Sequence, residues 1–99
     1  MAIYDVAVIG GGAAGTMAAI RIAANGKSVI LLERNDSIGK KILITGKGRC
    51  NITNMATIED FLDKFGKKGS FLRTAFSRFF SEDLIEFFKK KGLALKTER

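Results

Sequence analysis

The run Gly10-Gly11-Gly12-Ala13-Ala14-Gly15 constrains this chain most, because of what stands on either side of it. Before it, Ile3–Ile9 is an apolar stretch broken only by Asp5. Its length and β-branched content predict a strand buried on both faces, as in a parallel sheet. After it, Ala13–Ala24 is apolar nearly all round, with Arg21 as its only charge, and predicts a largely buried helix. Asn25-Gly26 is a good stop, since both residues tolerate the left-handed backbone at a helix end. Ser28–Leu32 predicts a second buried strand that ends at Glu33. Strand, glycine turn, helix and strand in that order make a βαβ crossover, right-handed in almost all proteins. The expected fold class is therefore α/β, with this unit as an incomplete doubly wound sheet.

The glycine run matches G-x-G-x-x-G, and here it follows a predicted strand and opens a predicted helix. An acid, Glu33, ends the next strand 18 residues after Gly15. Gly10 permits the tight turn, Gly12 lets backbone approach a pyrophosphate, and Gly15 lets the helix pack on the strands. Ala13 and Ala14 open the helix, whose unpaired N–H groups and dipole favour phosphate. The Glu33 carboxylate can accept hydrogen bonds from both hydroxyls of an adenosine ribose and repels a 2′-phosphate, which argues against NADP at this site. Arg34 follows it directly and joins the candidate cofactor-binding residues. An ordinary turn and a surface strand end are the bland alternative, and the joint spacing argues against it. These residues identify a dinucleotide and leave FAD and NAD open.

The rest of the chain has a different composition. All eight Phe lie between Phe61 and Phe88. Arg34 to Asn54 reads as mostly loop, with Ile42–Ile44 briefly extended. Thr57 can cap a short helix with Glu59 and Asp60 in its first turn. Ser70 can cap another, in which Phe71, Leu72, Ala75, Phe76, Phe79 and Phe80 recur on one face as a packing surface. Ser81 can cap a third, with Glu82 and Asp83 at its start, Lys89–Lys91 at its end and Gly92 beyond, an order that complements the helix dipole. Leu93–Lys96 starts a further strand in this reading. The expected divisions are a βαβ unit and loop over 1–56, a helical segment over 57–92 and a strand start over 93–99.

With 99 residues the chain is long enough for one small domain, and its 46% hydrophobic share suits a globular protein. Its apolar runs are too short to span a membrane, and its start does not read as a signal peptide. Cys50 is the only cysteine, so no internal disulfide forms, and a cytoplasmic location is expected. The net charge is +7, and Lys40, Lys41, Lys47 and Arg49 fall in a stretch with no acid between Asp36 and Glu59. A phosphate-rich ligand explains that stretch more economically than nucleic acid or a membrane surface. With no His and no Cys/Asp/Glu cluster of metal spacing, no metal site is expected.

A second motif, Gly39-Lys40-Lys41-Ile42-Leu43-Ile44-Thr45-Gly46-Lys47-Gly48-Arg49-Cys50-Asn51-Ile52-Thr53-Asn54, follows Glu33. It resembles the signature of the YhiN/BaiN-type flavoproteins, the NAD(P)/FAD-dependent or aminoacetone-oxidase-like oxidoreductases. In that family a GKK…SGxGRCNxTN-like stretch follows the FAD-binding acid. Thr45 stands where Ser is common. The resemblance runs over the whole chain and implies a Rossmann-like FAD-binding unit.

Within that resemblance, Gly39, Gly46 and Gly48 allow backbone to pass close to a planar cofactor. Lys40, Lys41 and Arg49 are candidates to neutralise pyrophosphate, and Asn51 and Asn54 to bond the ribityl chain or ring edge. Cys50 lies among these cofactor-site residues, with a small buried residue as its expected role; without a second Cys it cannot run dithiol chemistry.

Family members are several times longer, so the chain is expected to be the amino-terminal part of a flavin-dependent oxidoreductase and inactive alone. Its partners would be the remainder of that protein and a small-molecule substrate, with NAD(P)H as a candidate electron donor. No catalytic acid or base can be assigned, which a flavin tolerates because the isoalloxazine carries the electron chemistry. Two other readings are a non-catalytic dinucleotide-binding module and a basic nucleic-acid binder using Lys64, Lys67, Lys68, Arg73 and Arg78.

Overall fold

The computed structural model describes residues 2–46 and 51–97 and divides into two compact units, Met1–Asn51 and Ile52–Arg99. The first unit is α/β. Strand β1 (Val6–Ile9) leads through the glycine turn into helix α1 (Ala13–Ala24), then strand β2 (Val29–Leu32) and a short helix α2 (Lys40–Ile44). The strands are parallel, with Val6 opposite Val29 and Ile9 opposite Leu32. Asp5 and Ser28 lock the start of this ladder. The Asp5 N–H donates to Ser28 Oγ and the Ser28 N–H to Asp5 Oδ2, both at 2.9 Å.

The βαβ order and the bounds of α1 agree with the sequence, whereas the expected degree of burial does not. Val6 and Val8 are half-buried while Ala7 and Ile9 are exposed. On α1, Gly15, Thr16, Met17, Ala19 and Ile22 are half-buried and no residue is fully buried. The reason is one-sided coverage: the helix lies on one face of a pair of strands, and an apolar run gains burial only where something covers it. β1 also starts at Val6 rather than Ile3, because pairing begins at the Asp5–Ser28 lock.

Helix α2 corrects the expectation of a loop with Ile42–Ile44 extended. Gly39 enters it in the left-handed region, at φ 70°, and its carbonyl accepts the Leu43 N–H at 3.2 Å. β-Branched residues favour strands only where a neighbouring strand receives them, and the described parallel pair consists of β1 and β2 alone.

The second unit is helical: α3 (Ile58–Lys64), a 3₁₀ segment (Gly66–Leu72), α4 (Arg73–Arg78) and α5 (Ser81–Lys90). Thr57 caps α3 as expected, its Oγ1 accepting the Asp60 N–H at 3.2 Å. Ser70 caps nothing and sits inside the 3₁₀ segment, which runs straight into α4. Ser81 is not a cap either. Phe80 holds that position, and Asp83 Oδ2 accepts its N–H at 2.9 Å, relieving Ser81 of the task. Ser81 is instead buried, with its hydroxyl 2.7 Å from that of Thr53.

Leu62 is the buried hydrophobic residue of this unit. Phe61, Phe76 and Phe80 form an aromatic cluster, with centroids 4.9 Å apart for Phe61 and Phe80 in an edge-on arrangement. The expected continuous helical face from Phe71 to Phe80 is broken, because α4 stops at Arg78 and Phe79 is extended. Phe79, and Phe71 in the 3₁₀ segment, are exposed. Arg73 grips Glu59 with both terminal guanidinium nitrogens, at 2.5 and 3.2 Å, tying α4 to α3. No strand forms over Leu93–Lys96. Among the described residues no helix is long and apolar enough to cross a membrane. Leu62→Ala is expected to lower the unfolding free energy by about 2–4 kcal/mol, measured by chemical denaturation, because the cavity sits where little else is buried.

Candidate dinucleotide-binding site

The turn between β1 and α1 is fixed by main-chain groups. The Gly10 N–H donates to the Leu32 carbonyl at 2.8 Å and so extends the ladder beyond β1. Gly10 itself has φ 100°, which favours glycine. The next N–H, that of Gly11, donates to Glu33 Oε1 at 2.7 Å, and the Asn35 N–H donates to Glu33 Oε2 at 2.9 Å. The Gly11 carbonyl accepts the Gly39 N–H at 2.8 Å. One hydrogen-bonded corner thus joins the glycine turn, the end of β2 and the entry to α2.

Both oxygens of Glu33 are held by backbone donors. The bonds from Asn35 and from Gly11 keep its carboxyl below the usual carboxylate range, and the charge of Arg34 acts in the same direction. The group is therefore an anion with fixed orientation, and each oxygen retains acceptor capacity for a further donor.

The glycines divide by what surrounds them. A Cβ at Gly15 would collide with the Gly10 carbonyl oxygen. One at Gly11 would lie 2.8 Å from Ile38 Cγ2 and 3.0 Å from Leu31 Cδ2. At Gly12 a Cβ would meet nothing within 4 Å. Gly12 is also the cap residue of α1, and no side chain caps that end. The N–H groups of Ala13, Ala14 and Gly15 lack partners within the helix; the first helical bond runs from Thr16 N–H to the Gly12 carbonyl at 3.0 Å. Open space, unpaired donors and the positive end of the helix dipole coincide there, which is an arrangement suited to phosphate. One turn further on, Thr16 Oγ1 is enclosed and has no hydrogen-bond partner.

Comparison with known proteins finds a matching Rossmann family. The HI0933-like protein Rossmann domain matches residues 4–99. The 3-dehydro-bile acid delta(4,6)-reductase of Clostridium scindens is 42% identical over 94 residues, covering 93% of this chain and 22% of that protein. The ribosomal RNA dihydrouridine synthase of Escherichia coli is 33% identical over 91 residues, covering 92% of this chain and 22% of that protein. The FAD-dependent oxidoreductase dbaF of Emericella nidulans is 63% identical over 35 residues, which is 35% of this chain and 8% of that protein. The chain belongs to the HI0933-like Rossmann family. This is the YhiN/BaiN-type family whose signature the second motif resembles. The chain spans about a fifth of the length of the two long relatives, 22% in each case.

Within this HI0933-like Rossmann domain, the structure brings Gly10, Gly12, Ala13, Ala14, Gly15 and Glu33 to one corner. Arg34 is exposed beside it. Lys40 is drawn into an exposed ion pair with Asp36, four residues earlier and ahead of α2, at 3.0 Å, and Lys41 is exposed on α2. Asn51 lies against Gly46, where a Cβ would be 3.5 Å from its Nδ2. Asn54 Oδ1 accepts the Ala56 N–H at 2.9 Å, so that oxygen serves a local turn. Gly48, Arg49 and Cys50 lie outside the described residues.

Sequence reasoning missed Gly11, and it read Gly39 as a close-approach glycine without its N–H bond to the Gly11 carbonyl. Gly11 stood at an x position of the motif, yet its N–H and carbonyl make two of the corner's bonds. The available signal was the triple glycine itself, which the motif alone does not require.

Two outcomes follow from this geometry. Gly15→Ala is expected to cost on the order of 1–3 kcal/mol in a denaturant titration, since main chain must move, while Gly12→Ala stays within about 1 kcal/mol of the parent because its surroundings are open. Glu33 gives an acid-side signature. Its lowered folded-state pKa contributes stability that is complete above the unfolded value of about 4.3 and lost as pH falls through the folded value. Thermal melts across acid pH should show this loss in the parent and a flatter profile in Glu33→Gln.

Proposed function

We propose that this domain binds FAD by its adenylate half and serves as the cofactor domain of a flavin-dependent oxidoreductase. The observation that carries the reading is the Glu33 carboxylate, fixed by the Gly11 and Asn35 N–H groups beside the open, uncapped start of α1. In this reading Glu33 accepts from the two hydroxyls of the adenosine ribose. The free N–H groups of Ala13, Ala14 and Gly15 hold the pyrophosphate, which passes over Gly12 where no side chain intrudes. The second motif, with Lys41, Arg49 and Asn51, serves the flavin side of the same cofactor. Bound FAD supplies hydride and electron transfer at its isoalloxazine ring.

The comparisons support a shared cofactor role for this segment. The two long relatives carry names with different substrates, yet both match over this stretch. A third relative, similar over a shorter stretch, is named as FAD-dependent. The substrate is a small molecule recognised by residues other than those of the glycine corner. NAD(P)H is the electron donor in this scheme, the remainder of the flavoprotein is the domain's partner, and the protein works in the cytoplasm.

The full-length protein, purified without added cofactor, is expected to be yellow and to release FAD on denaturation, identified by its absorbance and chromatographic mobility. After stripping, it should rebind FAD and not FMN, because FMN lacks the adenosine ribose that Glu33 addresses. Colourless protein that rebinds neither flavin but takes up NAD would overturn the proposal in favour of a non-catalytic dinucleotide module.

A further inference from the structure

Thr16 is anomalous for a residue in a helix. A threonine hydroxyl at such a position usually bonds back to a carbonyl three or four residues earlier. Here the carbonyl of Gly12, four residues back, takes the Thr16 main-chain N–H, while the Thr16 hydroxyl is enclosed without any partner. It is the buried side-chain polar atom left unpaired among the described residues. Burying a hydroxyl without a partner is unfavourable, so a valine of nearly the same shape would suit the free protein better.

The position explains what a hydroxyl could do there. Helical side chains lean toward the N-terminus, so Thr16 covers the turn containing Gly12 and Ala13. That turn holds the open space at Gly12 and the uncapped N–H groups. The residue is half-buried although its Oγ1 is enclosed, so other atoms supply its exposed surface. A rotation about χ1 exchanges hydroxyl and methyl between staggered positions. It would carry the hydroxyl out of the enclosed position.

We propose that Thr16 is an additional phosphate ligand: on cofactor binding its hydroxyl turns toward the start of α1 and donates a hydrogen bond to the dinucleotide pyrophosphate. The proposal rests on the FAD-binding reading and adds to it a side-chain donor where the motif supplies only main chain.

The test uses Thr16→Val and Thr16→Ser in the full-length protein, with FAD affinity of the stripped form measured by quenching of flavin fluorescence and the melting temperature measured without cofactor. The expected result has opposite signs. Thr16→Val melts no lower than the parent, yet binds FAD about tenfold more weakly, as the loss of one hydrogen bond to a charged group implies. Thr16→Ser keeps affinity within about threefold of the parent. Equal affinity of parent and Thr16→Val overturns the proposal while leaving the FAD reading intact. Weaker binding accompanied by a lower melting temperature also overturns it, since that marks a packing role. A parent protein that binds no FAD removes both.

Discussion

The hydrogen bond from the Gly11 N–H to Glu33 Oε1, at 2.7 Å, is the contact on which the first unit depends. A carboxylate has acceptors only, and one whose charge is already engaged by backbone donors cannot swing freely. By taking Gly11 on one oxygen and Asn35 on the other, Glu33 ties the glycine turn to the residue that follows β2. The Gly39 N–H on the Gly11 carbonyl then closes the corner from the far side. The same bonds that stabilise the turn also keep Glu33 ionised, so local structure and electrostatics cannot be separated here.

This corner explains why Gly11, Gly12 and Gly15 are not interchangeable. Gly15 is excluded from bearing a side chain by the Gly10 carbonyl, whereas at Gly11 a Cβ would crowd the side chains of Ile38 and Leu31. Gly12 faces open space, and a Cβ there would meet no atom of the described residues within 4 Å. Open space next to unpaired N–H groups is an arrangement that suits an anion. The helical unit follows another logic, with its order set by Leu62 and the Phe61–Phe76–Phe80 cluster.

The parts of the fold legible in sequence were those set by local rules. Gly10–Gly15 and Glu33 announced the crossover, and the bounds of α1 followed from apolar continuity ended at Asn25-Gly26. Thr57 was readable as a cap because its hydroxyl needs only the N–H of Asp60, three residues on. What escaped depended on competition or on coverage. Ser81 looked like a cap until Asp83 took the Phe80 N–H. Ile42–Ile44 looked extended, yet the entry conformation at Gly39 decided for a helix turn. Strand and helix burial were overread because apolar runs report what a segment tolerates and not what packs against it. In the site, Lys40 was legible as a cation but not as the partner of Asp36.

The features that suit this corner to a phosphate-bearing ligand are those that weaken the free domain. An uncapped helix start leaves donors unpaired, Gly12 contributes no packing, and the Thr16 hydroxyl is enclosed without a partner. Each would be improved, for stability alone, by a cap, a side chain or a valine. Such costs are offset when a ligand binds only the folded form, which at a hundred times its dissociation constant adds about 2.7 kcal/mol to stability. Affinity and stability then become two readings of one set of unpaired groups.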